Sequence, residues 1–131
     1  MRTLLVFAAA VEGVTGLVLM LHPPLVTTLL LGTSVSGPGM ALGRLAGFAL
    51  LSLGLACWPD RKRIGGESPS LRALLTYNPL ITLYLLCLGL RGESTGKLLW
   101  PAIVFHALLT LLLARAWFSK TRGAAVLNHK A

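Results

Sequence analysis

Four apolar stretches, each close to the length of a bilayer crossing, constrain this chain more than any other feature. They run from about Thr3 to Leu21, Gly39 to Trp58, Leu71 to Leu90 and Leu98 to Phe118. A helix needs about 20 apolar residues to cross the hydrocarbon core of a membrane. The stretches stop where helices stop: the first at His22-Pro23-Pro24, the second at Pro59-Asp60, the third at Arg91-Gly92. Proline cannot continue a helix, because it lacks an N–H and its ring crowds the preceding turn. Strands are excluded, since four cannot close a barrel and lipid does not tolerate open sheet edges. Charged residues make up only 12% of the 131 residues, against roughly 25% in a soluble domain. That excludes a soluble globular protein and a disordered one. The expected fold is therefore all-α: one domain over residues 1–131, a four-helix transmembrane bundle running up-down-up-down.

The connection between the first two spans, Leu25 to Pro38, starts apolar and turns rich in Gly and Ser. It is too short to cross, so Leu25–Leu31 is read as a short interfacial helix or re-entrant turn, the alternative being a first helix that continues past a proline kink. At the N-terminus, Arg2 followed by an apolar run and Ala8-Ala9-Ala10 has the outline of a signal peptide. The apolar run continues past the alanines to Leu21, so the expectation is an uncleaved span.

Orientation follows from lysine and arginine, which concentrate on cytoplasmic flanks. With four spans, one side of the membrane holds Arg2, Arg61, Lys62, Arg63, Arg72, Arg115, Lys120, Arg122 and Lys130, and the other holds Arg91 and Lys97. This predicts an inner-membrane, multi-pass protein with both termini in the cytoplasm. The net charge of +8 then belongs to membrane flanks, and no nucleic-acid partner is called for. Arg61-Lys62-Arg63 suits anionic lipid headgroups, at about 1 kcal/mol per basic residue near the surface. Trp58, Trp100, Trp117 and Phe118 lie near span ends, as in an aromatic belt. Cys57 and Cys87 fall near opposite faces of the bilayer, too far apart for a disulfide, and are read as small packing residues.

Ionisable groups inside spans are costly and usually face a bundle interior or a wet cavity. Here they are Glu12, Arg44 and His106, joined by Tyr77, Asn78 and Tyr84. A rise of about 1.5 Å per residue puts Glu12 roughly 14 Å from the cytoplasmic end, Arg44 roughly 21 Å, Asn78 roughly 11 Å, Tyr84 roughly 20 Å and His106 roughly 18 Å. Each span thus supplies a polar group to one layer near the midplane. The ligand or proton-linked candidates are Glu12, Arg44, Asn78, Tyr84 and His106. Glu12 and Arg44, on consecutive antiparallel spans, are expected to pair. Pro79 interrupts the third span and frees a carbonyl that Asn78 is placed to satisfy. The three histidines do not converge, so no metal site is predicted. Gly39, Gly43 and Gly47, spaced by four, form a small-residue stripe for close helix packing, with Gly13 and Gly16 offering a similar face on the first span.

Two resemblances attach to these residues. The run Gly16…Leu21-His22-Pro23-Pro24-Leu25, then Gly43-Arg44-Leu45-Ala46-Gly47 and Leu53-Gly54, resembles the DoxX-like group of small four-helix bacterial membrane proteins, some of which are linked to quinone reduction. It covers roughly the first sixty residues. Ala10-Val11-Glu12-Gly13 is similar to the segment in which the small multidrug resistance family carries its essential glutamate. The chain departs from that family in Arg44, which would compete for Glu12, and in the patterns of spans two and four. No catalytic motif is present and Glu12 is the only acid inside a span, so a paired-carboxylate enzyme is excluded. The expected function is a binding or accessory subunit, with membrane lipid, a quinone or a partner membrane protein at the polar layer. No cofactor is predicted apart from that quinone. The partners are membrane lipids, a second copy or a larger membrane complex. The alternative is a small proton-linked transporter or channel.

Overall fold

The computed structural model describes residues 2–58, 69–92 and 94–128. These residues form five helices: α1 (Arg2–Leu21), α2 (Pro23–Leu31), α3 (Pro38–Ala56), α4 (Pro69–Leu90) and α5 (Leu99–Asn128). Four are long and apolar enough to cross a membrane: α1, α3, α4 and the Leu99–Ser119 part of α5. Large apolar side chains lie exposed along all four, among them Phe7 and Val14, Leu42 and Phe48, Leu80 and Leu83, and Leu108 and Leu111. Apolar exposure on that scale suits lipid and not water. The Arg61–Arg63 cluster and Lys130 lie outside the described residues.

Proline sets three of the helix starts. Pro23 and Pro24 open α2, Pro38 opens α3 and Pro69 opens α4, where a missing N–H costs nothing. α2 is a separate helix, not an extension of α1, because the backbone leaves helical geometry at His22 (φ −143°, ψ 71°). It ends at Gly32, which takes φ +80° and returns its N–H to the Thr28 carbonyl, a left-handed cap that glycine enters without strain. The loop before α5 then covers the end of α2. Thr95 N–H donates to the Leu31 carbonyl at 3.1 Å and Leu98 N–H to that of Leu29 at 2.8 Å. These bonds satisfy carbonyls that a helix end otherwise leaves open.

α5 outruns expectation. The fourth apolar stretch ends at about Phe118, yet the helix continues to Asn128. Loss of hydropathy ends a membrane span but not a helix, and this stretch holds Lys120, Arg122, Ala124, Ala125 and Leu127, all good helix formers.

α1 packs on α3 backbone to backbone. Gly54 sits against the main chain of Ala9 and Gly13, Gly16 against Gly47 and Leu51, and Gly43 against Pro23. Rising numbers on one helix meet falling numbers on the other, so the pair is antiparallel. Gly39 of the expected stripe lies outside this seam, against the Val35 side chain of its own loop. α4 pairs with α5, with Gly89 against Leu99 and Trp100. Two apolar clusters fill the interior. One gathers Leu5, Ala8, Ala9, Cys57, Leu71, Leu74, Leu109 and Leu113. The other gathers Leu85, Leu99 and Ile103. Along α4 and α5 the polar residues Asn78 and His106 fall between them.

Candidate polar site between the helix pairs

Glu12 is 2% exposed and Asn78 is fully buried. They are the buried polar or charged side chains among the described residues. Glu12 sits on the face of α1 that also buries Leu5, Ala8 and Leu19. Its Oε1 lies 4.0 Å from His106 Nδ1, beyond hydrogen-bonding range, and has no hydrogen-bond partner. Tyr77 lies edge-on to the imidazole of His106.

Asn78 organises the other half. Its Nδ2 donates to the Leu74 carbonyl at 2.9 Å, not to the Leu75 carbonyl that Pro79 frees. A carbonyl only accepts, so the NH₂ must face Leu74 and Oδ1 must face α5. Oδ1 lies 2.8 Å from His106 Nδ1. Because Oδ1 also only accepts, His106 Nδ1–H is the donor. In the neutral imidazole Nε2 is then a bare acceptor, and it makes no hydrogen bond among the described residues. The Asn78 carbonyl accepts from Thr82 Oγ1 at 2.7 Å, and the His106 carbonyl from Thr110 Oγ1 at 2.8 Å, so hydroxyls saturate the main chain beside the cluster. Rings wall the histidine. Tyr77 and Phe105 stand edge-on to it, with centroids 6.1 Å and 5.4 Å away, both at 79°, and Phe7 meets Phe105 at 6.1 Å.

Glu12, Asn78 and His106 therefore come together, from α1, α4 and α5. α3 contributes nothing to the cluster, which corrects the four-helix layer. Arg44 is exposed and makes no ion pair with Glu12. The expected pair fails for a geometric reason. Gly43 and Gly47 turn toward α1 and α2, and one residue beyond Gly43 is about 100° further round the helix. Tyr84 is 61% exposed and also lies apart. Tyr77 joins the cluster although it was not among the candidates. The signal available was its place beside Asn78 at the proline of α4. Among the described residues no three His, Cys, Asp or Glu side chains gather as for a metal ion. Cys57 is buried and Cys87 exposed, both as free thiols.

The arrangement is an acid and a neutral imidazole side by side, each with an open hydrogen-bonding atom, inside otherwise apolar helices. It can hold a polar group of a small molecule, or take up and release a proton. Comparison with family models, curated proteins and solved structures finds no match.

Proposed function

We propose that this chain is a small inner-membrane protein, an up-down-up-down bundle of four spans with both termini in the cytoplasm. It binds a lipid-phase small molecule, a quinone or a lipid, at Glu12, Tyr77, Asn78 and His106, on its own or as an accessory subunit of a larger membrane assembly. The observation that carries this reading is the Glu12 carboxyl, buried yet with Oε1 unpartnered. An unmade hydrogen bond on a buried group costs about 1–3 kcal/mol, more if it is charged. A group retained only to staple helices would be expected to be satisfied. Arg44 and Tyr84 are not part of the proposed site.

The test is mass spectrometry of small molecules that co-purify with the protein. Wild type should carry a bound molecule that Glu12→Leu and His106→Phe lose while still folding. A wild type with no bound molecule, or variants that keep it, sinks the reading. The spacing of Glu12 and His106 at 4.0 Å favours a second reading, a proton-linked transporter. Proton-coupled flux in liposomes that disappears in Glu12→Gln would select it.

A further inference from the structure

Arg44 is the one ionisable residue of α3. It is exposed and makes no hydrogen bond, ion pair or ring contact. An arginine in an apolar span is costly unless its charge reaches water, a headgroup or a partner. The seam of α3 with α1 fixes where along the span it lies. Gly54 meets Ala9 and Gly13, Gly47 meets Gly16 and Met20, and Gly43 meets Pro23. That antiparallel register brings Arg44 level with Leu21 and His22, where α1 ends. Arg44 therefore lies at the rim of the apolar layer and not near its midplane. The Cα–Cβ bond tilts toward a helix's N-terminus, which for α3 is the Pro38 end. The long side chain is thus set to lean outward from the rim to headgroup depth.

The face inward of Arg44 is apolar. Phe48 and Leu55 share its side of the helix by the 3.6-residue turn and are 52% and 69% exposed. α3 packs on α1 and, more lightly, on α2, and this strip stays uncovered. A cation at the rim with an apolar strip running inward matches an amphiphile that carries an anion at its head and hydrocarbon behind it. The guanidinium fork fits two oxygens of a phosphate, and headgroup depth is where phospholipid phosphates lie. A second copy of the chain fits worse. Glu12, the only acid inside a span, is buried on α1, so a copy seated here would set Arg44 against apolar surface or against its own counterpart. We propose that this face of α3 holds one phospholipid of the leaflet on the α2 side, its phosphate on Arg44 and an acyl chain along Phe48 and Leu55. The site is separate from the Glu12 cluster and does not depend on it.

A matched pair of probes tests this: palmitoyl-oleoyl-phosphatidylglycerol and its phosphate-free counterpart palmitoyl-oleoylglycerol, added to the full-length protein in maltoside micelles. The first readout is the side-chain Nε–H resonance of Arg44 in arginine-labelled protein, assigned by its absence from Arg44→Lys. The phospholipid should move that proton downfield as it bonds to phosphate, and the diacylglycerol should leave it in place. The second readout is lipid retention in native mass spectrometry. Arg44→Gln should hold the phospholipid about tenfold less well than wild type, the factor that losing one hydrogen bond to a charged group implies. It should hold the diacylglycerol as wild type does. Lipid on the Arg61–Arg63 cluster cancels in this comparison, because that cluster is the same in both proteins. If Arg44→Gln does not fold, the Nε–H shift in wild type decides alone, and its absence overturns the proposal. Equal retention of the phospholipid by wild type and Arg44→Gln also overturns it. An equal Nε–H shift from inorganic phosphate at the same concentration would make the ligand a free anion and overturn the lipid. A wild-type dimer that Arg44→Gln splits, with no phospholipid retained, would give the face to a second copy and overturn it as well.

Discussion

A buried carboxyl with one open oxygen contributes little to stability, so its removal should be cheap. Replacing an unpaired polar group by an apolar one of similar shape is close to neutral. Glu12→Leu is therefore expected to unfold within about 1 kcal/mol of wild type, or to be more stable. Since Arg44 is exposed and does not pair with Glu12, Glu12→Leu and Arg44→Leu should act independently. Their effects should add to within about 0.5 kcal/mol in detergent unfolding. A coupling well above that would restore the ion pair. Asn78 carries a different prediction. Without its Oδ1, no acceptor within hydrogen-bonding distance holds the imidazole proton on Nδ1, the Glu12 oxygen being 4.0 Å away. Asn78→Leu should turn His106 from a pure Nδ1–H tautomer into a mixture or the Nε2–H form, read from the ¹⁵N shifts of its two ring nitrogens. A tautomer unchanged by the substitution would show that Asn78 is not what sets it. These residues also mark how far the sequence could be read. Glu12, Asn78 and His106 stand out because they are polar in apolar helices, and the rise per residue gives their depth. What the rise does not give is the direction a side chain takes around its helix, which depends on which faces pack. Arg44 was misplaced for that reason.

At the scale of elements, the seam between α1 and α3 is built on backbone contact. A Cβ at Gly47 would fall 2.5 Å from the Met20 nitrogen and 2.8 Å from the Gly16 carbonyl oxygen. Neither can move without moving its helix, so Gly47→Ala must push the pair apart. A cost of about 1–3 kcal/mol is expected, the usual toll of overpacking. Gly13 is the control. A Cβ there meets nothing within 4 Å, and alanine favours helix over glycine by about 0.8–1.0 kcal/mol. Gly13→Ala should leave detergent stability unchanged or raise it. If both alanines behaved alike, the seam would not be where the glycines put it. The four-residue spacing of Gly43 and Gly47 made a packing face legible, but spacing cannot name the helix on the other side. It also could not show that Gly39 turns to Val35, or that Gly54 continues the seam to Ala9, because those depend on where α3 begins to cross α1. The start of α2 was legible from His22-Pro23-Pro24, whereas its cap by Thr95 and Leu98 joins segments more than sixty residues apart and has no local signal.

For the whole molecule, that cap fixes which ends lie together. The segment linking α1 to α3 and the one linking α4 to α5 touch through the Thr95–Leu31 and Leu98–Leu29 hydrogen bonds. The antiparallel contacts of α1 with α3, and of α4 with α5, carry the start of α1, the end of α3, the start of α4 and the far part of α5 away from that end. In the proposed up-down-up-down topology the basic residues divide along the same line: Arg2, Arg72 and Arg115 fall toward the far end, with Arg61, Lys62 and Arg63 in the intervening sequence, and Arg91 and Lys97 toward the capped end. Positive residues resist translocation, so the far end should be cytoplasmic. A fluorescent protein fused after Ala131 should glow, and alkaline phosphatase at the same place should be inactive. Phosphatase fused after Lys97 should be active, because the capped end then faces the oxidising side where its disulfides form. The reverse pattern would invert the protein in the membrane. It would carry the Arg61–Arg63 cluster away from anionic cytoplasmic lipid, but would leave the Glu12–His106 cluster at the same depth, because that depth is set by the helices and not by their direction.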